Sequence, residues 1–203
     1  MFLATAAAVA ATVLAVLALV PQMRKLYRTR IVDGVSPTWA AFGVVTNVAW
    51  TAYLAQEGLW LTVPATALVT VAYVMTFGFL VRAGVAVRTA VLAGAAWGAV
   101  LTIVGLAGGW ASLGIVLGLS YGVQAAPSVW AAYRTSTPRG IAPGTWVIGF
   151  AEGSMWGYYG WWYGDVPLML FAVVATVTSV AVLARYAATR HRWVDAVAVE
   201  ATG

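Results

Sequence analysis

Long runs of apolar residues make up most of the chain, and short stretches of turn-forming or charged residues separate them. Each run approaches the ~20 residues that a helix needs to cross the hydrocarbon core of a bilayer. The pattern therefore predicts an all-α integral membrane protein with seven spans, numbered 1 to 7 in chain order. The predicted limits are Phe2–Tyr27, Pro37–Ala55, Leu59–Val81, Val87–Leu106, Ala111–Tyr133, Pro143–Tyr163 and Val166–Tyr186.

The composition excludes several classes of function. Hydrophobic residues make up 63% of the 203 positions and charged residues 8%, against roughly 45–50% and about 25% in soluble domains. The chain has no cysteine and a single histidine, His191, so neither disulfides nor a cysteine or histidine metal site are expected. We therefore predict no enzymatic activity and no cofactor.

The positions of the basic residues predict the orientation. All 11 Lys and Arg residues lie at or after the end of span 1, around the connection of spans 3 and 4, after span 5, or from the end of span 7 onwards. With seven spans these four segments share one side of the membrane, while the opposite connections carry Glu57 and Asp165. Basic segments tend to stay in the cytoplasm. We therefore expect a multi-pass protein of the cell (plasma or inner) membrane, with the N-terminus outside and the C-terminus in the cytoplasm.

The two halves of the chain resemble each other at an offset of 106 positions. Nine of the 33 positions from Pro21 to Tyr53 are identical in the shifted copy. Spans 1–3 and 5–7 are therefore predicted to be parallel copies of one unit, with span 4 between them. The predicted units are residues 1–83, a linker at 84–109, residues 110–187 and a tail at 188–203. The identical pairs are Pro21/Pro127, Tyr27/Tyr133, Arg28/Arg134, Thr29/Thr135, Gly34/Gly140, Pro37/Pro143, Gly43/Gly149, Trp50/Trp156 and Tyr53/Tyr159.

Two short motifs recur in these copies. Residues 20–29 (VPQMRKLYRT) and 34–37 (GVSP) correspond to residues 126–135 (APSVWAAYRT) and 140–143 (GIAP). The first set resembles the PQ-loop signature of the SWEET and SemiSWEET sugar transporters, and in the second copy Ser128 replaces the glutamine. The 3+1+3 layout is similar to that of the seven-helix SWEETs. The resemblance implies two parallel triple-helix bundles joined by an inversion linker helix, and sugar transport by alternating access.

Two prolines are candidate hinges. Pro21 and Pro127 lie near the basic ends of spans 1 and 5, where each removes a backbone donor and favours a kink. The resemblance implies a hinge role for them. A proline near a helix end also serves simply to bend or stop the helix, and the sequence leaves both interpretations open.

Spans 2 and 6 carry a candidate substrate-binding face. Steps of three and four residues place the repeated side chains on one side of each helix. Two tryptophans near mid-span would offer flat surfaces to a sugar ring, a role that the resemblance also implies. The alternative is that they anchor the helices at the membrane interface. The candidate residues are Thr46, Asn47, Trp50 and Tyr53 on span 2, and Glu152, Trp156 and Tyr159 on span 6.

Glu152 lies near the centre of span 6, and its counterpart in the first copy is Thr46. A charged acid at that depth costs about 2.5–3.5 kcal/mol on insertion scales, so we expect the carboxyl to be protonated or to face water. It is a candidate for proton coupling or for hydrogen bonding to substrate. The alternative is a neutral acid that bonds a neighbouring helix.

One departure from the family concerns the third helix of each copy. The resemblance implies a cavity asparagine about five residues after a proline, but Val69 and Ala172 occupy these positions. A site that lacks both amides and holds a carboxyl suits a less polar sugar, another polyol or an amine.

Two main functional hypotheses follow. The first is passive uniport of a mono- or disaccharide by alternating access. The second is a PQ-loop protein that either couples protons to a non-sugar solute or acts as a non-transporting scaffold or receptor. The expected partners are a small-molecule solute and membrane lipid, not nucleic acid, and homo-oligomerisation is left open.

Overall fold

The computed structural model describes the backbone of residues 1–29, 36–134 and 143–202. Helices account for nearly all of this part of the chain, so the all-α prediction is confirmed there. Serine and proline start one of them, since the Ser36 hydroxyl accepts a hydrogen bond from the Trp39 N–H at 3.2 Å and Pro37 opens the first turn. The elements are α1 (Phe2–Thr29), α2 (Pro37–Gln56), α3 (Val63–Arg82), α4 (Arg88–Arg134), α5 (Pro143–Tyr163) and α6 (Val166–Thr202).

The element α4 consists of two helices. Gly109 interrupts it with φ 73° and ψ −174°, a conformation that is essentially restricted to glycine. The Cβ of Leu113 lies 3.9 Å from the position of a Cβ on Gly105, whereas residues eight apart in a straight helix are separated by about 12 Å. The two segments therefore fold back on each other. We call residues 88–108 the linker arm and residues 110–134 the second arm. The described residues thus form seven helices, as predicted.

Two predicted helix limits differ from the structure by more than two residues. The third helix begins at Val63 and not at Leu59, because residues 59–62 form a hydrogen-bonded turn in which the Thr62 hydroxyl donates to the Leu59 carbonyl at 2.7 Å. The last helix continues to Thr202 instead of ending at Tyr186. Residues 187–202 contain five alanines and neither glycine nor proline, so nothing in that stretch interrupts the helix.

Within the described part of the chain, four stretches are long and apolar enough to cross a membrane: Phe2–Val20, Val63–Arg82, Arg88–Ala126 and Val166–Thr189. The stretch Arg88–Ala126 has 39 residues and runs through the Gly109 break, so it provides the apolar length of two crossings. The helices α2 and α5 have 20 and 21 residues, and they carry polar side chains along one face. The chain is a multi-pass membrane protein.

The helix contacts follow a repeated scheme. In the first half, α3 packs against both α1 and α2; in the second half, α6 packs against both α4 and α5. The halves meet where α2 contacts α4 and where α1 contacts α5. At an offset of 106 residues, α1 corresponds to the second arm of α4, and α2 corresponds to α5. The contact between α2 and α4 is therefore equivalent to the contact between α5 and α1.

Two turns with the same geometry join the last two helices of each half. Gly58 and Gly164, which are 106 positions apart, have φ of 73° and 70°. The N–H of Leu59 donates to the Leu54 carbonyl and that of Asp165 to the Gly160 carbonyl, both at 2.8 Å. This is the bonding of a Schellman helix end. We call the end of the molecule with these turns the acidic end, and the end with Arg82, Arg88 and Arg134 the basic end.

Close packing of α4 against α6 predicts a stability difference between two glycine variants. A Cβ on Gly118 would lie 2.6 Å from the Pro167 carbonyl oxygen, whereas a Cβ on Gly78 would meet nothing within 4 Å. We expect Gly118→Ala to lower the unfolding free energy by about 1–3 kcal/mol and Gly78→Ala to leave it equal or raised by about 0.5–1 kcal/mol. Denaturant unfolding in mixed micelles measures both, and equal effects of the two variants would contradict this packing.

Candidate functional site

The predicted aromatic residues of α2 and α5 belong to one buried cluster. Trp50 and Trp156 are 7% and 6% exposed. Each makes an edge-to-face contact with the tyrosine one turn further on, at 5.7 Å for Trp50–Tyr53 and 6.2 Å for Trp156–Tyr159. All four belong to one core cluster. The structure therefore buries both aromatic pairs, which lie 106 residues apart in sequence, within the same cluster.

Alanines of α1 and an aromatic residue of α6 close this cluster. Ala4, Ala8 and Ala11 are fully buried within it, and their small side chains let α1 approach α5 closely. Phe171 on α6 contacts Trp50 edge to face at 6.3 Å. The Trp50 ring of the first half thus packs against the second half.

Thr46 is linked to both arms of α4. Its hydroxyl oxygen accepts a hydrogen bond from the indole N–H of Trp97 at 2.9 Å and one from the Gln124 amide at 3.4 Å. Sequence analysis missed Trp97, although two glycines near it are a sign of close packing against another helix. Gly94 and Gly98 share its face of the linker arm, and a Cβ on either would lie 3.2–3.5 Å from α2 at Ala41 or Val45.

Glu152 occupies the position equivalent to Thr46 and also accepts an indole N–H. Trp156, one turn further along α5, donates to the Glu152 carboxyl at 3.4 Å. Tyr73 on α3 and Tyr121 on the second arm lie within electrostatic range of this carboxyl. Aromatic residues from three helices therefore lie within electrostatic range of Glu152, and the residue as a whole is half-buried.

Ser179 on α6 lies beside Gly149, which is about one turn before Glu152 on α5. Its hydroxyl oxygen is 3.1 Å from the position of a Cβ on Gly149, and the Tyr121 hydroxyl is 3.8 Å from the same point. The Ser179 hydroxyl is fully buried and makes no hydrogen bond to the part of the chain that the structure describes. A buried hydroxyl of this kind normally has a partner such as water or ligand.

Asn47 does not point its amide at a neighbouring helix. The side-chain N–H donates to the Gly43 carbonyl of its own helix at 2.9 Å. The predicted role of Asn47 in solute binding would therefore depend on its amide oxygen.

At the acidic end, a hydrogen bond joins the two halves. The Tyr53 hydroxyl donates to one oxygen of Asp165 at 2.8 Å, and the other oxygen accepts the Leu168 N–H at 2.8 Å. Asp165 thereby caps α6 and holds α2 at the same time. Sequence analysis identified Asp165 only as an acidic residue between spans and missed this contact.

At the basic end, a cavity of about 250 Å³ lies between α2 and both arms of α4. It continues the α2 face that carries Thr46, but neither Trp50 nor Trp156 lines it. Trp39 forms part of its wall and contacts Tyr73 with ring centroids 4.8 Å apart. The lining residues are Trp39, Phe42, Trp97 and Val123 on the apolar side, and Ser36, Thr38, Ser120 and Gln124 on the polar side.

The predicted hinges lie within helices. Pro21 is inside α1 and Pro127 inside α4, and the non-helical residue within α4 is Gly109. The side chains of both prolines, and the repeated Gly34 and Gly140, lie outside the described part of the chain. The hinge role stays a prediction. Among the described residues, no group of three or more histidine or acidic side chains is placed to hold a metal ion.

Comparison with known proteins supports one element of the predicted resemblance. Residues 3–63 match the PQ loop repeat family. The match covers α1, α2 and the turn that follows, and it supports a relationship to the PQ-loop superfamily of membrane proteins. No curated protein matches the chain.

Proposed function

We propose that the chain is a membrane transporter that moves a small polar solute, with a mono- or disaccharide as the leading substrate class, by alternating access and passive uniport. The observation that carries the proposal is the difference between the two ends of the α2 face. The Tyr53–Asp165 bond joins the halves at the acidic end, while a cavity opens at the basic end. A state closed on one side and open on the other is what alternating access requires.

The proposed moving parts are two triple-helix bundles, residues 1–83 and 110–187, joined by the inversion linker. Two observations support this division. The third helix of each half lies against the other two, and the contacts between the halves exchange under the 106-residue offset. Such an interface lets one bundle rock against the other about a central axis.

In this proposal the solute binds between Trp50 and Trp156, with Thr46, Asn47 and Glu152 as polar partners and Tyr53 and Tyr159 above them. Trp50 and Trp156 are almost fully enclosed here. Solute entry therefore requires the Trp50–Phe171 contact between the halves to separate. Pro21 and Pro127 are the proposed hinges for that movement.

Uptake into liposomes tests the transport proposal. Purified protein is reconstituted and assayed for counterflow with radiolabelled hexoses, disaccharides, polyols and amino acids, with and without a pH gradient. Counterflow of a sugar that does not depend on pH supports uniport. If correctly folded protein shows neither counterflow nor uptake of any solute, the transport proposal is overturned and the scaffold or receptor hypothesis is left.

A second candidate, proton-coupled transport, is favoured by the position of Glu152 within electrostatic range of Tyr73 and Tyr121. If this carboxyl carries the proton, Glu152→Gln abolishes gradient-driven uptake but preserves pH-independent exchange, because glutamine keeps the shape and loses the titration. Glu57→Gln, at an exposed site in the acidic-end turn, is the control. Gradient-driven uptake by the Glu152→Gln protein equal to that of the wild type would exclude this role.

A further inference from the structure

We propose that the cavity between α2 and the two arms of α4 is a second binding site, for a neutral polyhydroxy solute, and that the linker arm forms one of its walls. The proposal deepens the transport function and depends on it for the solute class. It assigns the linker a binding role in addition to its role in orienting the second bundle.

The apolar walls of the cavity are flat and fixed in orientation. Phe42 and Trp97 contact each other with ring centroids 5.9 Å apart, and Trp39 is held edge to face against Tyr73. Trp97 is held further by its hydrogen bond to Thr46. Aromatic rings that are already ordered present a stacking surface without a further loss of side-chain entropy on binding.

The polar groups select the chemistry of the solute. Gln124 uses one amide N–H on Thr46 at 3.4 Å, which leaves its amide oxygen and its second N–H for a ligand. The Ser120 hydroxyl donates to the Leu117 carbonyl at 2.7 Å and keeps its acceptor lone pairs. Ser36 and Thr38 add hydroxyl groups at the mouth. Paired donors and acceptors of this kind match sugar hydroxyls.

Charge and depth argue against an ion or a lipid tail. The described lining contains no charged side chain, so a neutral solute fits best. Gln124 and Ser120 lie well inside the apolar part of the second arm, where polar groups facing an acyl chain would lose hydrogen bonds to water without replacement. The volume of about 250 Å³ has room for roughly eight waters at ~30 Å³ each, which matches a single monosaccharide.

The floor of the cavity is the side that faces the proposed central site. The Trp97–Thr46 hydrogen bond separates the cavity from Trp50, which lies one helical turn beyond Thr46 on the same face of α2. A solute leaving the centre toward the basic end would therefore meet the cavity next. The site is incomplete without the linker arm, because Trp97 supplies both a wall and the floor.

The absence of cysteine from the chain allows a direct test with single cysteines. Ser120 is 4% exposed, and in Ser120→Cys a small methanethiosulfonate reagent reaches the thiol through the cavity. At a glucose concentration ten times the Kd, the free fraction falls about elevenfold, so modification slows about tenfold. Ser112→Cys, near the Gly109 turn and away from the cavity, is the matched control and stays unprotected.

Additional variants separate this site from the central one. Protection of Ser120→Cys is expected to disappear with Gln124→Leu and to persist with Trp156→Phe. Glucose, sucrose and sorbitol are the probes, in detergent and in lipid nanodiscs. The inference is overturned if no probe protects the thiol, if Gln124→Leu leaves protection intact, or if lipid alone protects it.

The same assay distinguishes failure of this inference from failure of the proposed function. Sugar uptake without protection at Ser120→Cys overturns the second site alone. Protection without uptake of any solute supports the site and overturns transport.

Discussion

Replacing Trp156 with phenylalanine is expected to lower the initial rate of solute exchange by about tenfold or more, while the protein remains folded. The substitution removes part of the stacking surface and the indole N–H that donates to Glu152 at 3.4 Å. Together these account for about 1.4 kcal/mol, or a factor of ten. Phenylalanine is preferred to alanine because the Trp156 side chain is only 6% exposed. Its truncation to alanine would lower the unfolding free energy by about 3–5 kcal/mol.

The matched control for Trp156→Phe is Trp60→Phe, which changes a tryptophan that is 66% exposed in the acidic-end turn. Counterflow in liposomes gives the rate, and thermal melting in detergent confirms folding. Equal rates for the wild type and Trp156→Phe would remove Trp156 from the substrate site.

The second large effect is expected at Asp165. Asp165→Ala removes the cap on α6 and leaves the buried Tyr53 hydroxyl without its acceptor. The two losses together should lower the unfolding free energy by about 2–4 kcal/mol. Asp165→Asn retains one oxygen acceptor and should be less destabilising, since the amide can still accept one of the two bonds.

A double-mutant cycle with Tyr53→Phe and Asp165→Ala isolates the contact between the halves, because each single change removes the hydrogen bond between them. For a hydrogen bond to a carboxylate the expected coupling is about 1.5–3 kcal/mol. The repeat provides a control in Tyr159→Phe, because Leu59 stands where a matching carboxyl would be. Denaturant unfolding in mixed micelles supplies the values. Coupling near zero would mean that Tyr53–Asp165 does not hold the acidic end closed.

Much of the architecture was predictable, because it depends on properties local in sequence. Helix length follows from apolar runs, and the limits of α5 at Pro143 and Tyr163 were predicted correctly, since a proline and a turn glycine mark them. The 106-residue offset also relates Gly58 to Gly164, where the structure forms the same turn twice. Glycine can adopt that turn in either copy without strain.

The contacts that define the candidate site were less predictable. Trp97 reaches Thr46 from 51 positions away, and Tyr53 reaches Asp165 from 112 positions away. Neither pair leaves a periodic pattern, because each depends on how whole helices are placed against each other. Likewise, the sequence placed Trp50 and Trp156 each on the candidate face of its own helix, but their burial depends on the α1 alanines and on Phe171. Pairings of this kind require the assembled bundle.

The joint at Gly109 has a consequence for the lengths of the two helices it connects. One residue of non-helical backbone provides no slack between the linker arm and the second arm. Deleting or inserting a single residue in either arm would rotate everything beyond it by about 100° and shift it by about 1.5 Å. Gly114 and Gly118 would turn away from Pro167, and Gln124 away from Thr46. We therefore expect natural and engineered length changes to accumulate in the connections near Gly84 and in residues 135–142, and to be absent from residues 97–124.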